Sequence, residues 1–246
     1  MLKLGTQLEK KSVTIKIYKF DLKYMEWSLI PSEAEFVVSE KPFANGGFRE
    51  AYKATSITEG FKDETWVVKK YTDHTRELLK EMKQTEEEHA QKSVQMHYLA
   101  RNLACQLREK VKKENLVEFG EVFEFNKVFM GKMTSGEVVT LEEFISGEFV
   151  KYINNTGDRC ENDNVIADKA EAFSHFTYVK SEKKFIVLDV QGSGHTLYDP
   201  EIASEQLVDD NGNYQFCSGN LSTVAIERFF RNHKCNKYCV LLNLCK

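Results

Sequence analysis

Residues 13–20 (VTIKIYKF) alternate apolar and polar positions, the period-two pattern of a half-buried strand, and 36–38 (FVV) predict a second. A turn follows at Gly46-Gly47, with 51–54 (AYKA) as the returning strand. Such a turn makes an ordinary hairpin. The alternative is a flap whose backbone closes over phosphates, with Arg49 adding charge. Residues 65–68 (TWVV) predict a further strand ending in Lys69-Lys70. A lysine there either meets an anion from inside a cleft or marks a solvated edge.

Residues 73–113 contain neither glycine nor proline and read as helical, with Asp73 as a candidate cap. Met96, Leu99, Ala100, Leu103, Ala104, Leu107 and Val111 recur at helical spacing and predict one buried face. The charge-dense part at 76–92 predicts a solvated one. His74, His89 and His97 have no partners at metal-ligand spacing, which leaves them surface or core histidines. Strands are expected over 116–130, with a break at Gly120-Glu121, and over 138–145. Residues 146–155 show no period and suit the join between two lobes. A helix over 167–178 buries Ala170, Phe173 and Tyr178, and a last helix runs from 223 to about 242.

Between those helices, 185–188 (FIVL) read as a buried strand that delivers Asp189 to its end. The chain then turns through Gly192-Ser193-Gly194 and reaches a second carboxylate, Asp199, ahead of Pro200. Carboxylates at a strand end and its glycine-rich exit suit a site for Mg²⁺ and phosphate. An Asp at a strand end is equally the mark of an ordinary turn.

A chain of 246 residues makes one large domain or two lobes sharing a cleft. Its 41% hydrophobic and 29% charged residues are those of a soluble globular protein. The net charge of −4 argues against generic nucleic-acid or membrane binding, which require a basic face. No stretch reaches the roughly 18–20 apolar residues of a membrane span. Lys3, Lys10 and Lys11 interrupt the N-terminus, so it supplies no signal-peptide core, and a cytoplasmic chain is expected.

Of six cysteines, Cys235, Cys239 and Cys245 crowd the C-terminus. In a cytosolic chain such a cluster reads as metal-binding rather than disulfide-bonded. Cys235 and Cys239 are four apart, on one side of a helix, with His233 beside them. Three ligands are one short of a closed tetrahedral zinc site. His175, mid-helix among phenylalanines, is the candidate fourth, and the metal would staple the two helices together. The alternative is a pair of buried thiols with a surface histidine.

Seven blocks in order, FANGGFREAYKA (43–54), WVVKKY (66–71), LEEFISGEFVKYINNTG (141–157), AFSHFTYV (172–179), VLDVQGSGHTLYDPEI (187–202), SGNLS (218–222) and FFRNHKCNKYC (229–239), resemble the atypical alpha-kinase family. The resemblance spans nearly the whole chain from Val13. It implies an α+β, two-lobed protein-kinase-like fold. The N-lobe (about 1–140) would be an antiparallel sheet with a long helix, the hinge about 141–147, and the C-lobe (about 148–246) mixed α+β with a structural zinc. The implied activity is transfer of the ATP γ-phosphate to a serine or threonine hydroxyl of a protein substrate, in the presence of Mg²⁺. The acceptor segment is expected to be helical, with neither nucleic acid nor membrane as partner.

Residue by residue, the resemblance makes Lys69 the ATP-phosphate lysine, with Lys70 the lesser claimant. It puts Gly46 and Gly47 over the nucleotide, Arg49 among the phosphate contacts, and Glu142 and Ile145 at the adenine hinge. Asp189 and Gln191 match the Mg²⁺ pair, and Asp199 the carboxylate that orients or deprotonates the acceptor hydroxyl. His175, His233, Cys235 and Cys239 match the zinc ligands. The late G-x-G-x-x-G loop, linked in the family to substrate placement, keeps only Gly219, next to Asn220; Cys217 and Ser222 replace the outer glycines. That departure motivates a second reading, a zinc-stapled pseudokinase that binds nucleotide or a partner without phosphoryl transfer.

Overall fold

The computed structural model describes residues 12–162, 164–205, 207 and 221–245. Its elements run β1 (Val13–Tyr18), β2 (Phe20–Asp21), β3 (Glu26–Trp27), β4 (Ser32–Val38), β5 (Ala44–Asn45), β6 (Arg49–Ser56), β7 (Trp66–Tyr71), α1 (Asp73–Glu81) and α2 (Glu86–Lys113). A 3-10 turn at Val117–Phe119 leads into β8 (Glu124–Phe125), β9 (Val128–Met133), β10 (Val138–Glu143) and β11 (Val150–Lys151). Then come α3 (Val165–Lys180), β12 (Phe185–Leu188), β13 (Gln191–Ser193), β14 (Thr196–Leu197), β15 (Glu201–Ser204), α4 (Ser222–Asn232) and α5 (Lys237–Leu241). The class is α+β.

The first of two units comprises the described residues up to Lys19, Trp27–Glu86 and Phe129–Phe144. Its strands lie in the order β4-β1-β9-β10-β7-β6-β5, and β4 also pairs with β6, so six of them close on themselves. Closure removes the unpaired edges that an open sheet would expose. Ile15, Ile17, Phe36, Trp66, Val68, Val139 and Leu141 point inward at the strand period and form a separate core. Lys69 and Lys70 do not end their strand, as the sequence pattern suggests. β7 continues to Tyr71, hydrogen-bonded to β6 and β10 on its two sides.

The second unit gathers residues 20–26, 87–128 and the described residues from Ile145 onward. The long helix α2 therefore clusters here, not with the antiparallel sheet as expected of an N-lobe running to residue 140. Its apolar face explains this: Met96, Ala100, Leu103, Ala104 and Leu107 are buried in one core with Phe119, Phe123 and Phe173. The expected single helix over 73–113 is two, broken after α1 with Lys83 in the left-handed region, φ 54°. Thr72, not Asp73, caps α1 by accepting from the Thr75 N–H. His97 is a core histidine whose Nε2 lies 2.7 Å from the Asn126 carbonyl oxygen, while His74 is exposed.

Helix α3 sits at the centre of this unit. Asn164 caps it by accepting from the Ile166 and Ala167 N–H groups. Burial around most of its circumference suits its apolar composition. β12 is buried at all four positions and pairs antiparallel with β15. β11, β13, β14 and β8 form a second small sheet. The expected last helix is again two. Asn236 starts α5 by accepting from the Tyr238 and Cys239 N–H groups, leaving Cys235 in the connecting turn. Among the described residues, no helix is long and apolar enough to cross a membrane.

Truncating Phe173, which is fully buried, to alanine is expected to cost about 3–5 kcal/mol of stability in urea unfolding. Asn164→Ala, which removes only the cap, is expected to cost about 1 kcal/mol in the same measurement.

Candidate functional site

In the first unit the register of β7 against β6 and β10 sets Lys69 opposite Ala51 on one side and Thr140 on the other. The Lys69 ammonium meets Glu142 Oε2 at 2.9 Å, and both side chains are largely buried. Thr140 Oγ1 donates to Glu142 Oε1 (3.1 Å) and accepts from Arg49 Nη1 (3.0 Å). The Arg49 guanidinium also stacks 4.8 Å from the Tyr71 ring centroid. Lys69, Arg49, Thr140 and Glu142 thus form one hydrogen-bonded network, two cations to one carboxylate, on one face of the sheet. Thr140 belongs to none of the sequence-derived sets, because a lone threonine in a strand carries no spacing signal.

Gly46 and Gly47 form the exposed tip of the β5–β6 hairpin, closed by the Gly46 N–H donating to Arg49 O (2.9 Å). A Cβ on Gly47 would meet nothing within 4 Å, so the tip has open space beside its backbone. Glu142 and Ile145 straddle the passage from the first unit to the second, which falls between Phe144 and Ile145.

In the second unit, β12 delivers Asp189 at its end. Asp189 and Asp199 both adopt left-handed backbone, φ 49° and 50°. Asp tolerates this region better than most residues, yet two such positions in one short segment indicate geometry held by the surroundings. Lys151, on β11 opposite Gln191, donates to Asp189 Oδ1 at 2.8 Å. Burial nevertheless raises the Asp189 carboxyl above the ordinary range, against the pull of Lys151 and with the added repulsion of Asp199. Gln191 Nε2 donates to the Asp199 carbonyl oxygen (3.0 Å) and lies 3.4 Å from Asp189 Oδ2. Asp199 itself is exposed. The three residues picked out by sequence are therefore brought together, and Lys151, in the 141–157 block but given no role there, joins them.

The hairpin linking them needs glycine for a steric reason. A Cβ at Gly192 would collide with the Thr196 carbonyl oxygen and sit 2.8 Å from Leu197 Cα. Gly219, Asn220 and Cys217 lie outside the described residues. Ser222, at the place of the last loop glycine, takes φ 51°, the region that glycine occupies without penalty.

The four remaining candidates also converge. One ligand atom each from His175, His233, Cys235 and Cys239 lies within 4.8 Å of the others. Cys235 Sγ is 3.9 Å from His175 Nδ1, and Cys239 Sγ is 3.5 Å from His233 Nε2. The turn between α4 and α5 achieves this, rather than one helix face. The Phe229 ring stacks on His233 with centroids 4.9 Å apart. His233 Nδ1 lies 3.4 Å from Glu171 Oε1, and Glu171 Oε2 accepts from Arg159 at 2.7 Å. Although burial opposes it, those hydrogen bonds hold the Glu171 carboxyl below its ordinary range. Burial pushes the Cys239 thiol up to about 12, and burial with the neighbouring His233 pushes His175 down to about 4.

The alpha-kinase family model matches residues 44–239. Alpha-protein kinase 1 of Dictyostelium discoideum is 29% identical over 231 residues, covering 92% of this chain and 15% of that protein. Mouse eukaryotic elongation factor 2 kinase is 38% identical over 104 residues, covering 42% of this chain and 13% of its own length. The solved alpha-kinase domain of myosin heavy chain kinase A in complex with ADP superposes with a TM-score of 0.78 at 24% identity. That match covers 97% of this chain and 99% of the other. Compared with the relatives it matches, this chain spans at most about a quarter of their length. The breadth of the family match, set on an α+β fold of the same kind, identifies the chain as a member of the alpha-kinase family.

Proposed function

We propose that this chain is an ATP- and Mg²⁺-dependent protein kinase that transfers the γ-phosphate to a serine or threonine hydroxyl in a helical protein segment, in the cytoplasm. The observation that carries the reading is the cluster of Asp189, Gln191 and Asp199, held by Lys151 and by left-handed backbone, in a chain that belongs to this family. Lys69 and Arg49 are the cations for the triphosphate, with Gly46 and Gly47 covering it and Glu142 and Ile145 at the adenine. The donor set at the second unit fits Mg²⁺. Asp189 offers a carboxylate and Gln191, with Nε2 spent on the Asp199 backbone, keeps its amide oxygen, both hard oxygen ligands. Bound Mg²⁺ would neutralise charge on the transferring phosphoryl group. Asp199 orients the acceptor hydroxyl and takes its proton, and Gly219 and Asn220 belong to the substrate loop. Phosphoryl transfer asks mainly for positioning and electrostatics, which such fixed charges supply.

His175, His233, Cys235 and Cys239 are the ligands of a structural zinc. A tetrahedron with Zn–N and Zn–S bonds of about 2.0–2.3 Å needs ligand separations of roughly 3.3–3.8 Å. The Cys239–His233 distance, 3.5 Å, falls in that range and the Cys235–His175 distance, 3.9 Å, lies just above it. Glu171 would hold the far nitrogen of His233, as carboxylates do behind metal-bound imidazoles. The cation would supply the charge that lets the buried Cys239 thiol become a thiolate.

Wild-type chain incubated with γ-labelled ATP and Mg²⁺ is expected to label itself or an added protein, and Asp199→Ala or Lys69→Ala to abolish labelling. Nucleotide binding without transfer to any protein would instead establish the pseudokinase reading. Elemental analysis is expected to find one zinc per chain, and Cys235→Ser to lose both the metal and cooperative unfolding. Stable, folded chain without metal would refute the zinc assignment.

A further inference from the structure

His195 stands at the turn of the β13–β14 hairpin, four residues after Gln191 and four before Asp199. Its ring is held on both sides. Lys169 Nζ, from α3, lies 3.1 Å from Nε2, and Glu121 Oε2 lies 3.1 Å from Nδ1. An ammonium can only donate, so Nε2 is the acceptor and the ring proton sits on Nδ1 facing Glu121. Lys169 is 5% exposed and donates its other hydrogen bond to the Glu121 carbonyl oxygen at 2.8 Å. The rings of Phe119 and Tyr238 flank it, each centroid 5.6 Å away. A buried cation satisfied by a carbonyl, an imidazole and two aromatic faces is costly for a helix to carry, and an apolar residue would fill the space at lower cost. What the ammonium adds is a directional hold on His195.

Hydrogen bonds tie the hairpin that carries His195 to its neighbours. The His195 carbonyl accepts from the Glu124 N–H (3.0 Å), the Gly194 carbonyl accepts from the Tyr152 hydroxyl (3.1 Å), and Gln191 O accepts from the Tyr198 N–H (3.1 Å). We propose that Lys169 and His195 are positioning residues for phosphoryl transfer, fixing the hairpin whose two arms set Gln191 and Asp199. This rests on the kinase reading above. It has a pH consequence. The titratable groups facing the ring are Lys169 on α3 and Glu121 before β8, with Lys237 of α5 acting on Lys169. Burial, then Lys169, lowers the His195 pKa below its ordinary value, and Glu121 opposes them. A neutral ring is thus favoured in the folded state. Its contribution is complete above the ordinary histidine pKa and is lost as pH falls through the lowered one. Protonation would set imidazolium against ammonium and release the hairpin.

The test compares wild type with Lys169→Met, His195→Leu and His195→Gln, all at matched urea midpoints or at temperatures well below melting. Gln can still accept from Lys169 but does not titrate. Lys169→Met and His195→Leu should lower kcat by about 10–100-fold with the KM for ATP changed less than about threefold, the scale of a displaced reactive group. His195→Gln should restore most of kcat relative to Leu and remove the acid limb attributable to the ring. Amide exchange of residues 192–197 should accelerate about tenfold in Lys169→Met but not in His195→Gln. Wild type that transfers no phosphate defeats the kinase reading, and hairpin exchange then decides the positioning claim by itself. Met and Leu variants with wild-type kcat and wild-type hairpin exchange, or Gln as damaging as Leu, would overturn the inference.

Discussion

The hydrogen bond from the Val187 N–H to Thr177 Oγ1, 3.0 Å long and buried, ties helix α3 to β12. It fixes a helix that then serves three neighbours. Glu171 and His175 reach the His/Cys cluster, Lys169 reaches the β13–β14 hairpin, and Phe173 fills the core shared with α2. Because interiors are packed like solids, a helix buried on so many sides transmits any shift to all its contacts. The end of β12, and with it Asp189, inherits its position from that packing.

Charge follows the same logic. Lys69 is matched by Glu142, Asp189 by Lys151, and Glu171 by Arg159 and His233, each at hydrogen-bonding or ion-pair distance. Breaking one partner of such a pair is costly because the other is left in low dielectric. Networks of this kind hold side chains in fixed orientations even where their net contribution to stability is small. For phosphoryl transfer fixed orientation is the useful quantity, since little covalent chemistry is asked of the protein.

Strand alternation in β1, the apolar run of β12 and the helical face of α2 were all legible in the sequence, because each is a local periodicity imposed by one buried face. The breaks at 82–85 and 233–236 were not, since neither carries glycine or proline. They come from left-handed Lys83 and from the Asn236 cap. Ring closure through β4–β6 pairing, and α2 clustering with the second unit, depend on contacts distant in sequence. The four His/Cys residues were legible as a set, but the turn that gathers them replaces the shared helix face. Thr140 has no motif, Lys151 lies in the 141–157 block without a role signalled there, and His195 is held by two side chains from distant segments.

The central claim is that Asp189 holds the cation that makes phosphoryl transfer possible. Single-turnover labelling with γ-labelled ATP and Mg²⁺, comparing wild type with Asp189→Asn, tests it most directly. The change keeps the side-chain shape and removes the charge. The account predicts a loss of at least about 10²–10³-fold in transfer rate, the scale of removing one preorganised charge-stabilising group, with the melting transition retained. Transfer by Asp189→Asn at the wild-type rate, at saturating ATP and limiting Mg²⁺, would contradict it.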